Sequence, residues 1–73
     1  MFIELTHKTG KEKTKVVTIN VTEISYFQPL TFMEGNEEKT DGTIVYLHGD
    51  VYRLHVQEDY DMVREFLEQE SLL

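Results

Sequence analysis

TIVYLHGDVYRLHV, residues 43–56, is the stretch that decides the fold. Two runs rich in β-branched and aromatic residues flank His48 and Gly49, and a glycine at or beside a two-residue loop supplies the positive φ that tight hairpin turns require. With the loop at residues 48–49 or at 49–50, the same side chains share each face. One face carries Thr43, Val45, Leu47, Tyr52, Leu54 and Val56. The other face carries Ile44, Tyr46, Arg53 and His55.

Two segments upstream show the two-residue period of half-buried strands. Ile3 and Leu5 fall on one side of the first, and Val17 and Ile19 fall on one side of the second. The polar, lysine-rich residues 9–14 between them predict a loop. The N-terminal part of the chain is therefore expected to be a hairpin with a basic tip.

The middle of the chain predicts a short turn, a third strand and a long loop. Asn20 can cap a turn over residues 21–23, because its side-chain oxygen can accept a hydrogen bond from a free amide. The strand that follows should be bent or lie at an edge at Pro29, which has no N–H to donate. Residues 34–42 hold two glycines and four acidic residues without apolar periodicity, which predicts a mobile acidic loop inserted between strands.

The C-terminal part predicts a helix. After Asp59 the apolar residues fall at spacings of three and four, with Asp59 placed to cap the first turn. The apolar positions are Tyr60, Val63, Phe66 and Leu67. We therefore expect residues 1–73 to form a single α+β domain, with a strongly bent antiparallel β-sheet or small open barrel of four to five strands and one C-terminal α-helix.

Length and composition favour self-association and a reducing compartment. A 73-residue domain buries only about 60% of the surface that its unfolded chain exposes, and so small a fold usually has additional support. The chain has no cysteine, which removes disulfides and favours the cytoplasm, or a host cytoplasm if the protein is phage-encoded. No segment reaches the roughly 20 apolar residues that span a bilayer, so no membrane partner is expected.

The charge distribution argues against direct nucleic-acid binding. The chain carries a net charge of −7, with +2 in residues 1–20 and −9 in the remainder. Nucleic-acid binding requires a cationic surface that neutralises phosphates, and an anion of this size repels that ligand.

The residues that carry chemistry do not converge. His7, His48 and His55 lie on separate predicted segments, so no metal site is expected. Glycine-rich phosphate loops and nucleophile motifs are missing from the sequence. We therefore expect no cofactor and no catalytic residues, and a protein that is not an enzyme.

The candidate interface or ligand surface combines aromatic, cationic and aliphatic residues. Tyrosine and arginine are enriched among residues that dominate binding energy. The candidates are Tyr46, Arg53, His55, Ile44, Tyr26 and Phe32. A solvent-facing sheet side with a cross-strand tyrosine–arginine contact explains the same pattern equally well.

The order of motifs resembles that of the FlbD family of small bacterial proteins, also called SwrD. The resemblance covers nearly the whole chain outside residues 30–42, and it implies a non-enzymatic protein associated with flagellar motility. It is carried by Ile3-Glu4-Leu5-Thr6, Gly10-Lys11, Asn20, Glu23-Ile24, Pro29, Thr43-Ile44, Gly49, Val56 before Glu58, and a helix opening at Asp59.

These observations predict a non-enzymatic accessory or regulatory module that binds a protein partner as a homo-oligomer. The alternative is a phage-encoded inhibitor of a host defence system. Such an inhibitor would act either as an acidic mimic that blocks a basic site or as an oligomer that sequesters a small anionic ligand, such as a nucleotide signal, between subunits.

Overall fold

The protein is an α+β fold with a five-stranded antiparallel sheet and one C-terminal helix. The computed structural model describes residues 1–49 and 53–71, with side chains to residue 69. The strands are β1 (Phe2–Gly10), β2 (Lys13–Asn20), β3 (Ile24–Glu34), β4 (Glu37–Leu47) and β5 (Arg53–Val56), with a 3₁₀ turn at Val21–Glu23 and the helix α1 at Tyr60–Ser71. The strand order is β2-β1-β5-β4-β3. Within the described residues β2 and β3 are unpaired sheet edges, so the sheet is not closed into a barrel.

The central hairpin pairs as the sequence predicts. Thr43 lies opposite Val56, and Tyr46 lies opposite Arg53. The register confirms both predicted faces for the residues that are described, and Gly49 has a positive φ of 73°. Tyr52, which the prediction placed on the apolar face, lies outside the described residues.

The hydrophobic core lies between the apolar face of the sheet and α1. Its buried residues come from four strands and the helix: Ile3, Leu5, Ile19, Val45, Val56 and Val63. The backbone N–H of Met62 donates to Asp59 Oδ1 at 2.9 Å, which confirms the predicted helix cap. A second link fixes the helix start, because Glu58 accepts hydrogen bonds from the Thr6 backbone N–H at 2.9 Å and from the Thr6 hydroxyl at 2.9 Å.

The predicted acidic loop at residues 34–42 is wrong. β3 runs to Glu34 and β4 begins at Glu37, so a two-residue turn at Gly35 and Asn36 joins two long strands. We call residues 31–40 the arm, since every residue in it is exposed. The arm shows no apolar alternation because neither of its faces packs against the core.

The arm leaves the sheet at a bulge. The register shifts between Pro29, opposite Thr43, and Thr31, opposite Thr40, so two residues of β4 lie opposite a single residue of β3 there. One is Gly42, whose φ is 74°. A Cβ at this position would overlap the carbonyl oxygen of Val56. β3 is thus an edge strand with an irregularity at Pro29, as predicted.

The N-terminal hairpin is longer than its hydrophobic pattern indicates. β1 extends to Gly10 and β2 begins at Lys13, so the loop predicted at residues 9–14 shortens to two residues. Glu12 adopts a positive φ of 62° in this turn. The predicted Asn20 cap is confirmed, because Asn20 Oδ1 accepts from the backbone N–H of Thr22 at 3.1 Å.

Among the residues that the structure describes, no helix has the length and apolarity needed to cross a membrane.

Candidate interaction surface on the outer face of the sheet

Five of the six candidate residues lie together on the face of the sheet that points away from α1. We call them the outer-face cluster: Tyr26, Ile44, Tyr46, Arg53 and His55. Their strands bring them into cross-strand register, with Tyr46 opposite both Tyr26 and Arg53, and Ile44 opposite His55. The two-residue alternation of β4 and β5 sends these side chains outward while their neighbours enter the core.

Two tyrosines form the centre of this cluster. The rings of Tyr26 and Tyr46 stack with centroids 4.2 Å apart and an interplanar angle of 15°. The Gln28 side chain donates to the Tyr46 hydroxyl at 3.2 Å. Tyr26 is nevertheless 54% exposed, so the stack offers an aromatic platform at the surface.

Arg53 lies beside this platform and remains available. It is exposed, and among the side chains of residues 1–49 and 53–69 no carboxylate forms an ion pair with it. An exposed guanidinium beside stacked aromatic rings can bind a carboxylate or stack on a planar group.

Phe32 does not belong to the outer-face cluster. It lies in the arm opposite Lys39, six positions along β3 from Tyr26 and beyond the bulge. The structure therefore divides the candidate residues between two places, the sheet face and the arm.

A second group on the outer face was not predicted from the sequence. Lys8 Nζ donates to both carboxylate oxygens of Asp41, at 2.8 and 3.0 Å. His55 donates through Nε2 to the Asp41 carbonyl oxygen at 2.6 Å, since a carbonyl can only accept. The hydrogen bond from Lys8, followed by the charges of Lys8 and His55, lowers the pKa of Asp41 below its ordinary 3.8 against the opposing effect of burial.

This group joins three strands and ties the base of the arm to β1 and β5. The sequence signal for it was weak, because Asp41 and His55 are separated by a turn and Lys8 is distant in the chain. Within this group, Lys8 and His55 both form hydrogen bonds with Asp41. An anionic ligand on this face would have to compete with Asp41 for both.

A groove lies beside the cluster, between α1, the 3₁₀ turn and the start of β3. It has a volume of about 430 Å³. Its lining is mainly apolar, from Val21, Ile24, Tyr26, Phe27 and Leu67, with Arg64 among the polar groups. Tyr26 is therefore shared between the groove and the outer-face cluster. Sequence reasoning missed the groove because it forms between segments distant in the chain.

The described residues do not gather metal ligands. Among the described side chains of residues 1–49 and 53–69, no group of three or more histidine or carboxylate side chains is placed to hold one metal ion. The Glu58 carboxylate already accepts hydrogen bonds from the backbone N–H and the hydroxyl of Thr6. The outer-face cluster instead presents aromatic rings beside a cation, a combination that suits binding to another molecule.

Comparison of the chain with family models, with curated proteins and with solved structures finds no match to any of them. The fold defines a small α+β protein with an open five-stranded antiparallel sheet.

Proposed function

We propose that this protein is a non-enzymatic accessory or regulatory module that binds a protein partner through the outer-face cluster and works as a homo-oligomer. The observation that carries the proposal is the Tyr26–Tyr46 stack, 54% exposed at Tyr26, with Arg53 beside it. Aromatic and arginine side chains held on a rigid sheet lose little conformational entropy on binding and are typical of interface anchors.

The rigidity of the scaffold supports this role. β4 and β5 enter the core through Val45 and Val56, both fully buried, so the outward residues between them are fixed in position. A pre-organised surface of this kind binds a partner without a large structural change.

The proposal extends to the shape of the sheet and to the compartment. β2 and β3 are both edges and are joined only by the three-residue turn Val21–Glu23, which supports a strongly bent sheet close to an open barrel. A cysteine-free chain supports a reducing compartment, and we place the protein in the cytoplasm.

Quantitative affinity capture from a bacterial lysate tests the function. Arg53→Ala and Tyr26→Ala should each weaken capture of a specific partner by about tenfold or more, because each removes an anchor from the cluster. Glu65→Ala is the control, since Glu65 is an exposed residue of α1 that belongs neither to the cluster nor to the groove beside it. Equal capture of every bound protein by all three variants and the unmodified chain would contradict the proposal.

A further inference from the structure

The arm is a two-stranded ribbon exposed along its whole length. Phe32 and Met33 are 44% and 64% exposed, and as neighbours in one strand they point to opposite faces. Neither face of the arm therefore packs on the core. A two-stranded ribbon without a packed face is only marginally stable in water, so the arm gains stability when another surface covers it.

Its charge and its backbone define what can cover it. Glu34, Glu37 and Glu38 outnumber Lys39, which gives the arm a net charge of −2. Glu34 already faces Lys39 at 3.7 Å, a long separation for an ion pair. β3 is also the outermost strand, and the unpaired backbone groups of an edge strand are a template for another strand.

The same chain carries the complementary surface at the other edge of its sheet. We call residues 9–15 the tip of the β1–β2 hairpin. Lys11, Lys13 and Lys15 are exposed there and, with Glu12, give a net charge of +2. In the part of the chain that the structure describes, none of these three lysines forms an ion pair.

We infer that the tip of one copy covers the arm of a second copy, in a head-to-tail contact. The charges are equal and opposite, and β2 and β3 lie at opposite ends of the strand order, so a neighbouring copy can bring one edge to the other. Although the chain has a net charge of −7, the tip is positively charged and therefore attracts the arm. Such a contact is heterologous, and it builds a ring or a filament. The inference rests on the self-association in the proposed function and adds the surfaces that make it.

Charge reversal at each surface tests the contact by sedimentation velocity over about three decades of protein concentration. The unmodified chain should self-associate, with a dissociation constant that rises about tenfold or more from low to high salt. One variant carries Lys11→Glu, Lys13→Glu and Lys15→Glu. The other carries Glu34→Lys, Glu37→Lys and Glu38→Lys. Each variant alone should lose self-association.

Mixing separates specific pairing from damage to the fold. The tip variant has two acidic surfaces and the arm variant has two basic ones, so an equimolar mixture should associate. A chain with all six changes restores complementarity within one sequence and keeps the net charge of −7, so it should self-associate as well. Glu65→Lys, on the exposed side of α1, is the control that should change little.

An unmodified chain that stays monomeric at every concentration would overturn the inference. Self-association that both reversed variants retain would also overturn it, as would a mixture that fails to associate while each variant shows the unmodified circular dichroism spectrum. A basic partner protein that binds the arm of a monomeric chain would identify the alternative occupant. The partner-binding part of the proposed function is tested separately, because Arg53→Ala and Tyr26→Ala alter the outer-face cluster and leave the tip and the arm intact.

Discussion

Gly42 holds the base of the arm against β5. Its φ of 74° is costly for residues with a side chain, and a Cβ there would overlap the carbonyl oxygen of Val56. We expect Gly42→Ala to lower the free energy of unfolding by about 2 kcal/mol or more, through backbone strain and displacement of β5. Urea denaturation followed by circular dichroism measures the change.

Two other glycines provide matched controls for this prediction. Gly35 has a similar φ of 65° with open space around it, so Gly35→Ala should cost about 1 kcal/mol from the backbone alone. Gly10 has open space and no positive φ, so Gly10→Ala should be close to neutral. If Gly42→Ala were at least as stable as Gly35→Ala, the overlap with Val56 would make no contribution to the loss of stability.

The ion pair between Asp41 and Lys8 is a second interaction between individual residues, and its contribution depends on pH. The hydrogen bond from Lys8 holds the pKa of Asp41 below 3.8. We expect Lys8→Met to raise this pKa towards 3.8, as measured by NMR titration of the Asp41 side-chain carboxyl carbon. Lys39→Met should leave the pKa of Asp41 unchanged, because Lys39 faces Glu34. An Asp41 pKa that is the same in all three proteins would contradict the assignment.

The same pair predicts the direction of a stability change. Because the pKa of Asp41 is lower in the folded state, its ionised form stabilises the fold above pH 3.8, and this contribution disappears as the pH falls through the lower folded-state pKa. The advantage over Lys8→Met should be about 1 kcal/mol or less, since the Asp41 side chain is 48% exposed. Urea denaturation of both proteins on either side of pH 3.8 measures it. A difference that grows on acidification would contradict this prediction.

At the scale of elements, α1 depends on its N-terminal cap. Asp59→Ala removes the acceptor for the Met62 N–H and should cost about 1 kcal/mol, whereas Asp59→Ser keeps an acceptor and should cost less. Glu65→Ala is the control, since Glu65 is exposed on the helix and lies outside the first turn. Thermal denaturation followed at 222 nm would rank the three variants. An equal loss in all of them would show that the cap contributes nothing.

The elements also show how far the sequence predicts this fold. The β4–β5 hairpin and α1 were predictable because burial on one side leaves a period in the sequence, as at Val45, Val56 and Val63. The arm was not predictable for the same reason. Both of its faces are exposed, so its strands carry no period, and hydrogen bonding between strands has no signature of its own in the sequence.

The same limit applied to the candidate site. The hairpin register placed Ile44, Tyr46, Arg53 and His55 on one face from sequence alone. The contact between Lys8 and Asp41 was not predictable, because the two residues lie 33 positions apart on different strands. The groove was missed too, since it requires the positions of α1 and β3 relative to one another. Features within one hairpin could be predicted, whereas features that join distant segments required the structure.

At the scale of the whole molecule, helix and sheet depend on one core, and the arm lies outside it. Val63 on α1 is fully buried in the same cluster as Leu5 and Val45. We expect Val63→Ala to lower the free energy of unfolding by about 2 kcal/mol, through lost burial and a cavity. Native-state hydrogen exchange should show the loss at the amides of all three positions together, because they open in one cooperative step.

Arm amides should respond differently, because they open without disturbing the core. The amides of residues 31–40 should exchange through local opening whose free energy Val63→Ala leaves unchanged. Met62→Ala, at an exposed neighbouring position on α1, is the control and should change neither set. If Val63→Ala lowered protection only along α1 and left Leu5 and Val45 unaffected, the helix would be an independent attachment. In that case, packing of α1 on the core face of the sheet would not help to hold the outer-face cluster in position.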